Sequence, residues 1–173
     1  MSDNQGRPAE IKTSPGVQLT SQQNNVVGNV LQLFAGYATK NDLGLWTDDA
    51  VFEDPIALAE GRQQYEAQWY GLKAAFSEIE RKHFQVIDSG NPIKMELETR
   101  YVVKGIGKEQ LIKSVVEIHT TPDGSKITKV ADKWDGKLPD SSIKNAFRRL
   151  NAKTMPHVVS VPKDSVEEQK KEL

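Results

Sequence analysis

From Thr20 to Tyr37 apolar side chains recur every three or four positions, with Val26, Val27, Val30, Leu31, Phe34 and Tyr37 on one stripe. That period predicts an amphipathic helix about five turns long. Thr20 stands where a capping hydroxyl is wanted, and Gln23 completes a capping box three residues on. Gly28 and Gly36 weaken the helix slightly without erasing its stripe. Residues 41–49 suit a short second helix stopped by polar turn residues. Ala50 to Pro55 reads as a brief strand, which Pro55 confines to an edge or an end. After Gly61, the spacing of Tyr65, Trp69, Leu72, Ala75, Phe76 and Ile79 predicts a third helix over residues 63–80.

Beyond Lys82 the period drops to two. Residues 83–88, 93–104, 110–121 and 126–135 read as strands, separated by short Gly-, Pro-, Asn- and Ser-bearing links. Such links between long strands mean antiparallel hairpins. Residues 140–154 form a last amphipathic helix, with Ile143, Ala146, Phe147 and Leu150 on one face and Lys144, Arg148, Arg149 and Lys153 elsewhere. It ends before Pro156, and residues 157–161 run extended. The fold class is therefore α+β, with one domain over residues 20–162. Residues 1–19, polar and aperiodic, are expected to be mobile, and residues 163–173 to form a charged flexible tail.

Strand parity assigns faces. Met95, Leu97, Thr99, Tyr101 and Val103 share one side of their strand; Lys94, Glu96, Glu98 and Arg100 share the other. Ile112, Ser114, Val116 and Ile118 oppose Leu111, Lys113, Val115 and Glu117 in the next. Each strand thus has one apolar face, where the helices must pack. Asp132 breaks the rule, because it falls between Val130 and Trp134 on the covered side. A carboxylate there is costly unless it is hydrogen-bonded, solvated by a cavity or protonated. Two readings stay open: a satisfied carboxylate near a strand end, or an acid on a ligand cavity's wall with a raised pKa.

Composition narrows the partners. The net charge is -1, from 23 basic and 24 acidic side chains spread along the chain, so nucleic acid is not an expected partner. There is no cysteine, which excludes disulfides, thiolate metal sites and cysteine nucleophiles. His83, His119 and His157 are scattered without ligand spacing, so no metal is expected, and no motif calls for a cofactor. Nothing in the sequence approaches the roughly 18 apolar residues of a membrane helix, and the first ten residues lack an apolar signal core. No membrane association is expected, and a cytoplasmic location is the simplest expectation.

Two segments carry a resemblance. Leu45-Trp46-Thr47-Asp48-Asp49-Ala50-Val51-Phe52-Glu53-Asp54-Pro55, followed by Gly61, resembles the stretch after the first helix in SnoaL-like proteins. Ile127-Thr128-Lys129-Val130-Ala131-Asp132-Lys133-Trp134-Asp135 resembles their closing strand. Together with the element order, they make residues 22–136 similar to the nuclear transport factor 2-like superfamily, in its SnoaL-like, polyketide cyclase-like branch. The resemblance implies a strongly bent antiparallel sheet wrapped around the N-terminal helices, forming a cone with an apolar pocket. The C-terminal helix is then an addition to the common core. Relatives of that kind include isomerases, dehydratases, epoxide hydrolases and cyclases, so fold alone selects no reaction. Asp132 matches the catalytic first aspartate of the epoxide hydrolases' closing run. Their Arg-x-Asp partner is replaced here by Arg100-Tyr101-Val102, with no second carboxylate.

On this reading Asp132 and Tyr101 are the candidate catalytic pair, a proton carrier and a donor to a developing oxyanion. Tyr37, Trp46, Trp69, Phe76 and Trp134 are candidate ligand contacts, although the helical period also makes the first four core. Asp54 either lines the pocket mouth or caps the turn at Pro55. The terminal helix either meets a partner or lies over the cone as a lid. Two functions follow. One is a pocket that binds or transforms a small hydrophobic, oxygenated molecule by isomerisation, dehydration or cyclisation. The other is a non-catalytic homodimer through the exposed sheet face bearing Val102, Leu111, Val115 and Glu117.

Overall fold

The computed structural model describes residues 6–136, 139–149 and 162. Helix α1 (Ser21–Phe34) begins on the expected capping box: Thr20 Oγ1 accepts from Gln23 N, and Gln23 Oε1 accepts from Thr20 N. It stops a turn short of Tyr37. Gly36 adopts φ +88°, and the Gly36 and Tyr37 amides donate to Leu33 O and Gln32 O. This left-handed glycine closure satisfies the last carbonyls and ends the helix. The second helix, α2 (Lys40–Leu43), is shorter than residues 41–49 suggested, because Trp46 already begins strand β1 (Trp46–Glu53). A three-residue strand that the sequence did not announce, β2 (Leu58–Glu60), folds back antiparallel on β1.

Helix α3 spans Arg62–Ala75, and strand β3 runs over Phe76–Asp88. Phe76 and Ile79 therefore belong to a strand and not to the predicted helix. The cause is visible in the pairing. β3 slips register between Phe76 and Glu78, between Arg81 and His83, and between Val86 and Asp88. Each bulge inserts a residue and breaks the alternation that would have revealed a strand. Strands β4 (Ile93–Val103), β5 (Glu109–Thr120) and β6 (Ile127–Trp134) follow as hairpins.

The sheet order is β2-β1-β6-β5-β4-β3. It is not wholly antiparallel, since β1 lies parallel to β6, with Phe52 opposite Val130 and Glu53 opposite Ala131. The bulges add local twist and bend, and the sheet curls around α1 and α3. Inside it Phe34, Phe52, Trp46, Tyr65 and Trp69 pack with neighbouring ring centroids 4.8–6.2 Å apart. A deep polar group there is satisfied: Asn29 accepts from Trp46 Nε1 at 3.1 Å and donates to Asp42 O at 2.8 Å.

Residues 6–19, whose composition suggested mobility, are laid along β3. Ser14 N donates to Val86 O, Val86 N donates to Lys12 O, and Ile11, Val17 and Leu19 pack on the core. Their apolar residues lack a period because they serve an edge strand, one that an added segment protects. Helix α4 (Ser141–Arg149) buries Ile143, Ala146 and Phe147. The expected continuation to residue 154, the extended stretch with His157, the tail and residues 1–5 lie outside the described residues.

Candidate functional site

The site begins with a parallel register. Phe52 faces Val130 and Glu53 faces Ala131, so one step further along the two chains Asp54 comes beside Asp132. Paired positions in parallel strands share a face, and Phe52 and Val130 are both buried on the inner one. Two carboxylates thus meet at the end of β1 and β6. They line an open cleft of about 330 Å³ that runs over residues 53–55 and 131–134.

Their environments differ. Asp54 Oδ1 accepts from the amides of Ile56 and Ala57, both at 2.7 Å, which caps the turn at Pro55. Burial raises its pKa from 3.8 to about 6 against those two bonds. Asp132 is only 7% exposed. Its Oδ2 accepts from Trp134 Nε1 at 2.8 Å, while Oδ1 is buried without a hydrogen-bond partner. Burial is the chief cause that raises its pKa to about 7; the Ser114 hydroxyl and the Trp134 indole oppose the rise, and the charge of Asp54 adds to it. Of those two donors, only the indole reaches hydrogen-bonding geometry. Both acids therefore keep their protons closer to neutral pH than an exposed carboxylate does.

Tyr101 lies inward on β4 and is fully covered, so burial first, then the charges of Asp132 and Asp54, keep its phenol protonated. Its ring packs on Phe76 at 4.9 Å and on Phe147 of α4 at 5.2 Å, and Phe147 also meets Trp134 at 5.1 Å. The structure therefore brings together five of the residues singled out from the sequence: Tyr101, Asp132, Asp54, Phe76 and Trp134. Trp46 and Trp69 pack with Phe34, Phe52 and Tyr65 in the aromatic core. Tyr37 stands beyond the end of α1, with Lys73 Nζ 4.9 Å above its ring. Phe147 is the member that sequence reasoning placed on a helix face without giving it a role.

No family profile and no curated protein matches the sequence. Solved structures do. A nuclear transport factor 2-like protein from Anabaena variabilis ATCC 29413 superposes with a TM-score of 0.54 at 16% identity, covering 70% of this chain and 96% of its own. A steroid delta-isomerase from Pseudomonas aeruginosa gives 0.56 at 17% identity, covering 78% and 92%. The chain has the nuclear transport factor 2-like fold. A protein from Silicibacter sp. TM1040 assigned as a polyketide cyclase gives 0.55 at 10% identity, covering 69% and 93%. At these identities the likeness is one of architecture.

In nuclear transport factor 2-like terms, the carboxylates and Tyr101 lie on the concave side of the sheet. The convex side is a lattice of ion pairs. Arg100 bonds Glu78 at 2.8 Å and Glu109 at 2.6 Å, Lys133 bonds Glu117 at 2.6 Å, and Lys129 bonds Glu53 at 2.8 Å. Among the described residues no cluster of three or more His, Asp or Glu could hold a metal ion. Among them, no helix is long and apolar enough to cross a membrane.

Proposed function

We propose that this protein is a small-molecule pocket protein of the SnoaL-like type, acting on a small apolar ligand that carries an oxygen. The observation that supports it best is the pairing of Asp54 and Asp132 on the concave face, beside the neutral phenol of Tyr101. Asp132 would be the proton carrier, because a group with a pKa of about 7 gives and accepts protons readily at neutrality. Asp54 in its ionised form would hold that proton on Asp132 by its charge. Tyr101 would donate to the oxygen on which charge develops, and the surrounding rings would exclude water. Proton transfer next to a carbonyl is the reaction this arrangement suits, and the isomerase and cyclase assignments of two similar folds agree with it.

The test is a thermal-shift screen of the native chain and Asp132→Asn against hydrophobic ketones, phenols and terpenoids. It is followed by exchange of ketone α-hydrogens in deuterium oxide, read by NMR. Binding to both proteins, with exchange at least a hundredfold slower in the variant, is expected. No ligand raising the melting temperature would end the reading. A homodimer through the convex face is the second reading, for which Leu111, 42% exposed, offers an apolar anchor. A monomer by sedimentation equilibrium at micromolar concentration would dispose of it.

A further inference from the structure

We infer that α4 is a displaceable cap whose Phe147 ring holds the place of a ligand ring, and that the site beneath takes a single aromatic ring bearing one hydroxyl. The inference rests on the pocket reading above and gives it a ligand class and a closed state.

Phe147 is 5% exposed and meets three rings of the sheet: Phe76 at 5.0 Å and 51°, Trp134 at 5.1 Å and 58°, and Tyr101 at 5.2 Å and 80°. Those three residues come from β3, β6 and β4, so the sheet supplies three sides of a cage and α4 supplies its occupant. Tilted and edge-on contacts at this spacing are the geometry in which aromatic rings attract. The cage selects a ring of that size, whether it arrives on α4 or free.

A phenyl ring leaves one demand of the cage unmet. Trp134, one wall, is bonded to Asp132 Oδ2, while Asp132 Oδ1 stays buried without a partner. A buried oxygen left in this way is costly, and Phe147 has no donor to offer it. A free ring with a hydroxyl fills the same volume and donates to that oxygen. It therefore competes with Phe147 by one hydrogen bond.

Among the described residues of α4, the buried ones are Ile143, Ala146 and Phe147. Asp140 caps its start by accepting from Ser142 N at 2.9 Å, and pairs with Lys108 only across 4.0 Å between exposed side chains. Such a pair adds little to hold the helix down.

p-Cresol, the Phe147 side chain with a hydroxyl added, is the probe, and toluene is its oxygen-free control. Titration calorimetry on the full chain should show Phe147→Ala binding p-cresol at least tenfold more tightly than the native protein, which must first displace its own ring. It should also show p-cresol preferred over toluene about tenfold by the variant. Equal affinity of native and variant for p-cresol overturns the cap alone; no binding by either overturns the cap and its phenolic ligand, while the pocket reading stands or falls on the ketone and terpenoid screen. Equal affinity of the variant for p-cresol and toluene removes the hydroxyl's role. Hydrogen exchange on the unmodified chain keeps the test open should the variant fold poorly. Saturating p-cresol should speed amide exchange across residues 141–149, and unchanged or slower exchange there overturns the displacement.

Discussion

Trp134 donates its indole N–H to Asp132 Oδ2 across 2.8 Å, two positions along the same face of β6. The bond favours the ionised acid, yet burial prevails and raises the pKa from 3.8 to about 7. Between about pH 4 and pH 7 the unfolded chain has lost this proton and the folded chain keeps it, so stability falls as pH rises through that window. Below it both states are protonated, and above it both are ionised with the full loss in place. Asp132→Asn is therefore expected to match the native protein near pH 4 and exceed its stability at pH 8 by on the order of 4 kcal/mol. Urea midpoints at three pH values check this, and a difference independent of pH would refute it. Asp54 contributes a similar slope up to about pH 6, which cancels in the comparison.

Trp134→Phe keeps a ring in the wall and removes the donor. With the bond gone, the ionised form of Asp132 loses its one geometric partner, and its pKa should rise by about one pH unit. Carbon NMR titration of the Asp132 carboxyl gives the midpoint directly. A midpoint that stays put or falls would mean that the indole does not tune this acid.

The inward placement of Tyr101 was legible because β4 alternates from Ile93 to Tyr101, and that of Asp132 because it shares strand parity with Val130 and Trp134, although Val102 and Ala131 are buried as well. Phe76 was misplaced because the bulges of β3 erased that alternation, so a strand residue kept helical spacing with Trp69 and Leu72. Asp54 was left between turn cap and pocket residue, and its geometry contains both: its Oδ1 caps the turn while its strand carries it beside Asp132. That partnership depends on pairing β1 with β6, a contact far apart in sequence on which local periodicity is silent. Trp46 and Trp69 show another limit, since periodicity marks a residue as covered without distinguishing core from pocket wall. Phe147 was legible as apolar, but what it covers depends on where α4 docks.

Arg62 holds the base of the cone. Its guanidinium donates to Trp46 O at 2.8 Å and Leu43 O at 3.1 Å, and bonds Asp48 at 2.6 Å and Glu66 at 3.4 Å. Glu66 is buried, with Lys40 at 2.7 Å as its second cation. Arg62→Met keeps the stem but takes a donor from two carbonyls and two carboxylates, leaving Glu66 with Lys40. A loss of about 2–3 kcal/mol in unfolding free energy is expected. Arg62→Lys should recover only part of it, because one ammonium cannot reproduce the fork. Full recovery with lysine would show that charge alone matters there.

Gly28 leaves room for the strap of residues 6–19 to cross α1. A Cβ at this position would meet Arg7 Nε at 3.2 Å and Cδ at 3.3 Å. Arg7 crosses there to reach Asn25 Oδ1 at 3.2 Å and Asp42 at 3.8 Å. Gly28→Leu puts a branched side chain into that path and should lift the start of the strap, while helix propensity itself improves. Lys12, whose carbonyl accepts from Val86 N, then becomes available to trypsin. Cleavage after Lys12 should accelerate about tenfold under native conditions, since proteolysis follows the population of the opened segment. Time courses read by mass spectrometry check this. If cleavage at Lys12 is unchanged while the variant remains folded, the strap is held by the Thr13–Val86 bridge and the packing of Ile11 and Val17, and its crossing of α1 contributes nothing.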